Sequence, residues 1–332
     1  MADSARGLLL HRQTVAALDV YEHAIGLASE PETGSDSAIV ILGRLAGNLA
    51  FQIDAFPRAA AFFETALSAH HRQMTGRDET RAFQEVEASL RNNLALSLFY
   101  AGRYADAEPH YLAALRITDA LFGKADQGRL TTVGNLALLY YLTGRYRKAR
   151  SYLQEVVDLE SEIFGDDHPD TRNSLTNLAL LLARIGEFPE AERMLHRALR
   201  GEAENPSHPT RDYATRLNNA GIMYRDMGRV RESRDYLEHA YRMRCLLPDS
   251  GGIDLAQSWS NLATLEEQYG KLDQADSLLR LAEERVARLQ GRQNVAFASV
   301  LFNRAELARH RNSYAEAESL HRRVLDIRVA LL

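Results

Sequence analysis

Residues Phe164 to Leu199 read FGDDHPDTRNSLTNLALLLARIGEFPEAERMLHRAL, and this stretch spells out two helices with the turns around them. Phe164-Gly165 and the Asp166-Asp167-His168-Pro169 run mark a helix end, a loop, and a proline near the next helix start. Asn177-Leu178-Ala179 lies inside the first helix, and Gly186 follows nine residues after Asn177. Glycine tolerates the left-handed conformation that ends many helices, so the first helix should stop there. Phe188 and Ala191 then place an apolar residue and a small one three apart, as at the start of a second helix packed closely on the first.

The pattern repeats. Asn93, Asn135, Asn177, Asn219, Asn261 and Asn303 stand at successive intervals of 42 residues. Nine residues beyond each comes Gly102, Gly144, Gly186, Gly228, Gly270 or Asn312, the last being the other residue type that accepts a left-handed terminus. Two further on are Tyr104, Tyr146, Phe188, Val230, Leu272 and Tyr314, and three after those Ala107, Ala149, Ala191, Ser233, Ala275 and Ala317. Along the second helix recur Leu153, Leu195, Leu237 and Leu279, with Tyr111 and His321 in the end units, then Ala114, Val156, Ala198, Ala240, Ala282 and Val324. Phe122-Gly123 and Pro206-Ser207-His208-Pro209 read as further linkers between units. Most second helices have acidic residues in the first turn, where the helix dipole favours them; the unit with Lys148 and Arg150 does not.

In its combination of Asn-Leu-Ala, glycine, aromatic and alanine, the chain from about residue 79 to 332 resembles the tetratricopeptide repeat of the kinesin-light-chain type. The resemblance implies an all-α, right-handed superhelical solenoid of helix-turn-helix repeats, with the first helices lining a concave face. Gly221, Glu266 and Arg304 depart from the apolar or small consensus. Upstream the register degrades: Asn48-Leu49-Ala50 lies 45 residues before Asn93, while Phe56, Ala59 and Ala66-Leu67 lie 48 before their counterparts. Residues 1–78 are therefore expected to be degenerate N-terminal helices and a first repeat acting as a cap, with His11 to Leu27 as a lone amphipathic helix and Pro31 to Asp36 as its loop. Residues 79–332 are six regular units, and no independent second domain is expected.

Composition narrows the function. The 332 residues carry a net charge of -5, which gives no net attraction for nucleic acid or an anionic membrane. One cysteine, Cys245, excludes an intrachain disulfide framework and is expected to be a small core filler. The three leucines from Leu8 to Leu10 are too short for a signal-peptide core, no apolar run is long enough to span a bilayer, and a cytosolic protein is expected. Phosphate-loop, zinc-protease, serine-hydrolase and paired-cysteine signatures are absent, so no catalytic residue, metal or cofactor is expected. His70-His71 reads as a surface pair, because adjacent helical residues do not face one way.

The asparagines are the sharpest functional candidates. A mid-helix Asn costs roughly 0.7 kcal/mol against Ala, so one in every unit calls for a compensating role. In proteins of the resembled family the equivalent Asn faces the concave groove and bonds the backbone of an extended peptide. The other reading is that these amides bond neighbouring helices and hold the units in register. Helical spacing places positions three, six and seven after each Asn on the same face. They are Leu96, Phe99 and Tyr100, then Leu138, Tyr141 and Leu142, then Leu180, Ala183 and Arg184. In the last three units they are Ile222, Arg225 and Asp226, Thr264, Glu267 and Gln268, and Glu306, Arg309 and His310, so the face passes from apolar to charged. Phe99 or Tyr141 could equally pack against the adjacent unit.

A protein or linear-peptide partner follows, held by a non-catalytic scaffold or by the sensing part of a signalling switch whose effector lies outside this chain. Leu325, Ile327, Val329, Leu331 and Leu332 carry apolar surface to the final residue. Either the chain is a fragment of a longer protein, or this end docks on another copy.

Overall fold

The computed structural model describes residues 2–30, 34–73, 80–124, 126–200, 210–247 and 252–330, with the side chains of residues 2–12 left aside. Among the described residues there are fifteen α-helices and no strand. They are α1 (Ala2–Ala28), α2 (Asp36–Gln52), α3 (Phe56–Arg72), α4 (Arg81–Tyr100), α5 (Tyr104–Phe122), α6 (Gln127–Leu142), α7 (Tyr146–Phe164) and α8 (Pro169–Arg184). There follow α9 (Phe188–Leu199), α10 (Arg211–Asp226), α11 (Val230–Cys245), α12 (Asp254–Gln268), α13 (Leu272–Gln290), α14 (Val295–His310) and α15 (Tyr314–Ala330). The chain forms two compact units, Met1–Leu159 and Glu160–Leu332. This division reflects packing, whereas the sequence boundary near residue 78 reflects loss of repeat register.

Each first helix ends as the repeat predicts. Gly102, Gly144, Gly186, Gly228 and Gly270 have φ between 73° and 86°, and Asn312 has φ 61°. The residue after each donates its N–H five residues back, as Arg103 does to the Leu98 carbonyl (2.8 Å), Arg145 to Tyr140 (2.8 Å) and Arg229 to Tyr224 (2.8 Å). That bond, with the shorter one from the glycine N–H, is the Schellman closure of a helix C-terminus. The second helix starts directly from this turn, and α5, α9, α11 and α13 accordingly have no side-chain cap. First helices emerge from longer linkers and are mostly capped by a side chain: Thr80, Asp126, Thr210 and Asn294 accept from the N–H three residues on.

The core follows the repeat rows. Ala107, Ala149, Ala191, Ser233 and Ala275 are fully buried, and Ala114, Ala198, Ala240 and Ala282 nearly so, which lets the helices of a hairpin approach closely. Gly221 is the tightest case: a Cβ there would lie 2.5 Å from Leu237 Cγ, so a consensus departure is where α10 and α11 come nearest. α1 begins earlier than the amphipathic pattern and packs on α2, burying Leu18 and Ile25.

Several expectations are corrected. His70 is buried, its ring stacked 3.6 Å from Phe83 and its Nε2 3.0 Å from the Phe83 carbonyl oxygen, while His71 stays accessible beside Glu87. Burial holds His70 below its usual pKa. Cys245 is exposed, because the inward slot of α11 next to it is taken by Arg244, which is 1% exposed and donates to the Asp254 carbonyl and Ser258 Oγ. Ile327 belongs to the core with Leu320 and Val324, leaving Leu325 and Val329 as the exposed apolar residues of α15. Pro206 to Pro209, residues 31–33 of the Pro31 to Asp36 loop, and Leu331 and Leu332 lie outside the described residues. Among the described residues no helix is long and apolar enough to cross a membrane.

Candidate functional site

The asparagine rows occupy one face of the first helices, and each Asn reaches the surface. Asn177 is exposed; Asn93, Asn135, Asn219, Asn261 and Asn303 are half-buried. Among the described residues only the Asn261 amide has a side-chain partner, donating to Asn218 Oδ1 at 2.8 Å. A helix that has satisfied its own backbone thus carries, unit after unit, an amide with an unused donor and acceptor.

In the N-terminal unit this face has no ionic side chain on α4 and α6, whereas α2 carries the exposed Arg44 four residues before Asn48. Positions four before, at, three after and seven after the Asn are Ser89, Asn93, Leu96 and Tyr100 on α4, and Thr131, Asn135, Leu138 and Leu142 on α6. Tyr100 is 52% exposed, Leu138 44% and Leu142 50%. The Tyr100 ring stacks on Phe56 at 5.1 Å and meets Phe51 edge-on at 5.5 Å, which joins the face of α4 to that of α2. There Ile41 and Leu45 are also exposed, beside the exposed Asn48. Sequence reasoning missed Ile41 and Leu45, although they stand seven and three residues before Asn48. Thr132 Oγ1 donates to Asn92 Oδ1 at 3.1 Å and ties α6 to α4. Phe99 is buried, its ring packed against Tyr100 and Tyr104, so it supports this wall from within; Tyr141 is half-buried near Tyr146.

In the C-terminal unit the face is more polar, and residues on it or beside it bond across helices. Arg216 donates to Asn173 Oδ1 (3.0 Å), which ties α10 to α8. The Asn261–Asn218 bond ties α12 to α10, and a His310–Glu267 pair ties α14 to α12. Arg225 pairs with Asp226 at 3.0 Å, and Arg309 with Glu306 at 3.0 Å; Leu180 is half-buried and Arg184 exposed.

Beneath the face a recurring polar contact links α5, α9 and α11 to the hairpin that follows each. Glu108 accepts from Tyr140 Oη (2.9 Å) and Arg145 (2.6 Å); burial opposes its charge, but these two bonds hold its carboxyl below the ordinary value. Glu192 meets Tyr224 (3.0 Å) and Arg229 in the same way. One hairpin later the charges are exchanged: Arg234 stands where the glutamates stood, and Glu266 where the tyrosines stood. The two pair at 2.6 Å with Lys271 3.4 Å away, and Arg234 and Lys271 hold Glu266 low against the effect of burial. Arg304 is compensated likewise by Glu283 and Glu316. Two consensus departures are thus salt-bridged replacements for apolar packing.

Fold and face together define an all-α repeat protein whose first helices carry a recurring row of accessible asparagines. Tetratricopeptide-repeat models match residues 86–159 and 129–201, and a second such model matches 214–247 and 298–332, together more than half of the chain. The protein belongs to the tetratricopeptide-repeat family. A comparison with curated protein sequences finds no match. Among solved structures, the apo quorum sensor NprR from B. thuringiensis is similar at 14% identity and a TM-score of 0.65, over 97% of this chain and 84% of that one. A Rap protein complexed with Competence and Sporulation Factor is similar at 13% identity and a TM-score of 0.51, over 97% and 99%. The putative kinesin light chain of Podosopora anserina, with nearly identical repeats, matches at 17% identity and a TM-score of 0.53, over 61% and 93%. At these identities the likeness is one of fold, that of repeat α-solenoids.

Proposed function

We propose that this chain is a non-catalytic cytoplasmic scaffold that holds an extended polypeptide segment on the asparagine face of its first helices. The observation that carries the reading is the row of accessible amides at Asn93, Asn135, Asn177, Asn219 and Asn303 that have no side-chain partner among the described residues. An amide that donates to a carbonyl and accepts from an N–H suits a main chain in extended form, and accounts for residues that are poor helix formers recurring in mid-helix. Two apolar anchors at about 1.5 to 3 kcal/mol each and amide bonds at about 0.5 to 1.5 kcal/mol each, less an ordering cost of several kcal/mol, correspond to roughly micromolar affinity.

A peptide-sensing regulatory role, with its effector outside this chain, is the second reading. It is favoured by coverage: this chain aligns over 97% of its length with both a quorum sensor and a Rap protein complexed with a sporulation factor. Affinity capture from the source cell with wild type and an Asn93→Ala, Asn135→Ala variant tests the shared core of both readings. Loss of the captured partners at an equal or slightly higher melting temperature is expected. Undiminished capture by the variant would overturn it.

A further inference from the structure

Resting on that peptide-binding reading, we propose that recognition is confined to the apolar face of α4 and α6 and that its ligand is an uncharged, extended segment with aliphatic or aromatic side chains. On α4 and α6 the face positions from four before to seven after the Asn hold no ionic side chain: Ser89, Asn93, Leu96 and Tyr100, then Thr131, Asn135, Leu138 and Leu142. A charged ligand residue set against Tyr100, Leu138 and Leu142 would lose its hydration with no counter-charge to replace it, whereas an apolar one gains by covering them. The conformation follows from the amides. A helical ligand has already satisfied its backbone and would leave Asn93 and Asn135 unpaired, while an extended one offers N–H and C=O groups alongside side chains that return to one face at every second residue.

The C-terminal unit has the asparagines but a different surface. Its face groups are already engaged within the protein: Arg225 pairs with Asp226, Arg309 pairs with Glu306, and His310 bonds Glu267. Asn261 is engaged by Asn218. A ligand there would have to displace these bonds, so the polar ties serve to join successive first helices.

The experiment is panning of a phage-displayed random linear dodecapeptide library on the full chain, followed by calorimetry of a synthetic peptide made from an enriched sequence. Enriched peptides are expected to be uncharged, with aliphatic or aromatic residues at alternating positions. Leu138→Glu with Leu142→Glu, both at exposed sites that leave the melting temperature unchanged, should weaken binding roughly tenfold or more. Glu267→Gln with Arg309→Gln should change it less than about twofold. Enrichment of charged peptides, or a larger loss from the second pair than the first, overturns the confinement and the ligand class while leaving the peptide-binding reading standing. No enrichment, or binding indifferent to Asn93→Ala with Asn135→Ala, overturns that reading and this inference with it.

Discussion

Seven residues after its ladder asparagine, α4 presents Tyr100 and α6 presents Leu142; at the same place α10 presents Asp226 and α14 presents His310. The helices that carry them end alike, on a left-handed residue with φ of 77°, 73°, 75° and 61°. Backbone geometry is held constant by inward rows and turns, so the outward face is free to vary in chemistry. The way neighbouring first helices are joined varies with it. Rings and one hydroxyl-to-amide bond join α2, α4 and α6, whereas amide, guanidinium and carboxylate bonds join α8, α10, α12 and α14.

The sharpest way to break this contrast is at the exchanged charge pair. Glu266→Ala leaves Arg234 without its near partner and should cost about 1 to 3 kcal/mol in urea unfolding. Tyr140→Phe, at the equivalent place in the N-terminal unit, should cost less than about 1 kcal/mol because Glu108 keeps Arg145. Since the Glu266 carboxyl is held below its ordinary 4.5, the stability it contributes is present above that pH and lost as pH falls through the lowered value. The gap between wild type and Glu266→Ala should therefore be full at pH 7 and shrink on acidification. Equal costs for the two substitutions would erase the contrast.

A smaller effect concerns repeat positions filled by the wrong residue. The Ser233 hydroxyl is fully buried without a partner at a place where the other regular units have alanine, and Tyr111 buries an unpartnered hydroxyl where inner units have leucine. Ser233→Ala and Tyr111→Phe should each raise stability, by about 1 kcal/mol, measured as a higher urea midpoint. A drop for Ser233→Ala would mean that the hydroxyl has a role that the core packing does not reveal.

The smallest effect separates the asparagines themselves. Asn135→Ala should raise stability by up to about 0.7 kcal/mol, because Ala is the better helix former and no internal bond is lost. Asn261→Ala should lower it by about 1 kcal/mol, because Asn218 is buried and its carbonyl oxygen would lose its donor. The same sign for both would place them in one role.

The period, the turns and the buried alanines were legible in the sequence because each rests on residues at most a few turns apart. The asparagine face was legible as a face, but not which amides are engaged: Asn261 finds Asn218 43 residues away, and only the phase between two helices determines that meeting. Glu266 and Arg304 looked like defects because their partners Arg234 and Glu283 lie on a preceding second helix, 32 and 21 residues back. Cys245 was misassigned by polarity: one residue of helical phase sets the Arg244 guanidinium inward, where the Asp254 carbonyl and Ser258 satisfy it, and the thiol outward.

The bonds that close each hairpin span only five residues, and the ties between successive first helices reach little further than one repeat. Neither requires the chain to close a loop across its whole length, the step that slows folds built from distant strands. As the polypeptide leaves the ribosome, every hairpin can form as soon as its second helix has emerged, and it then waits for one more repeat to be synthesised before its neighbour docks. Exposure of unfinished apolar surface during synthesis is thereby limited to about one repeat at a time.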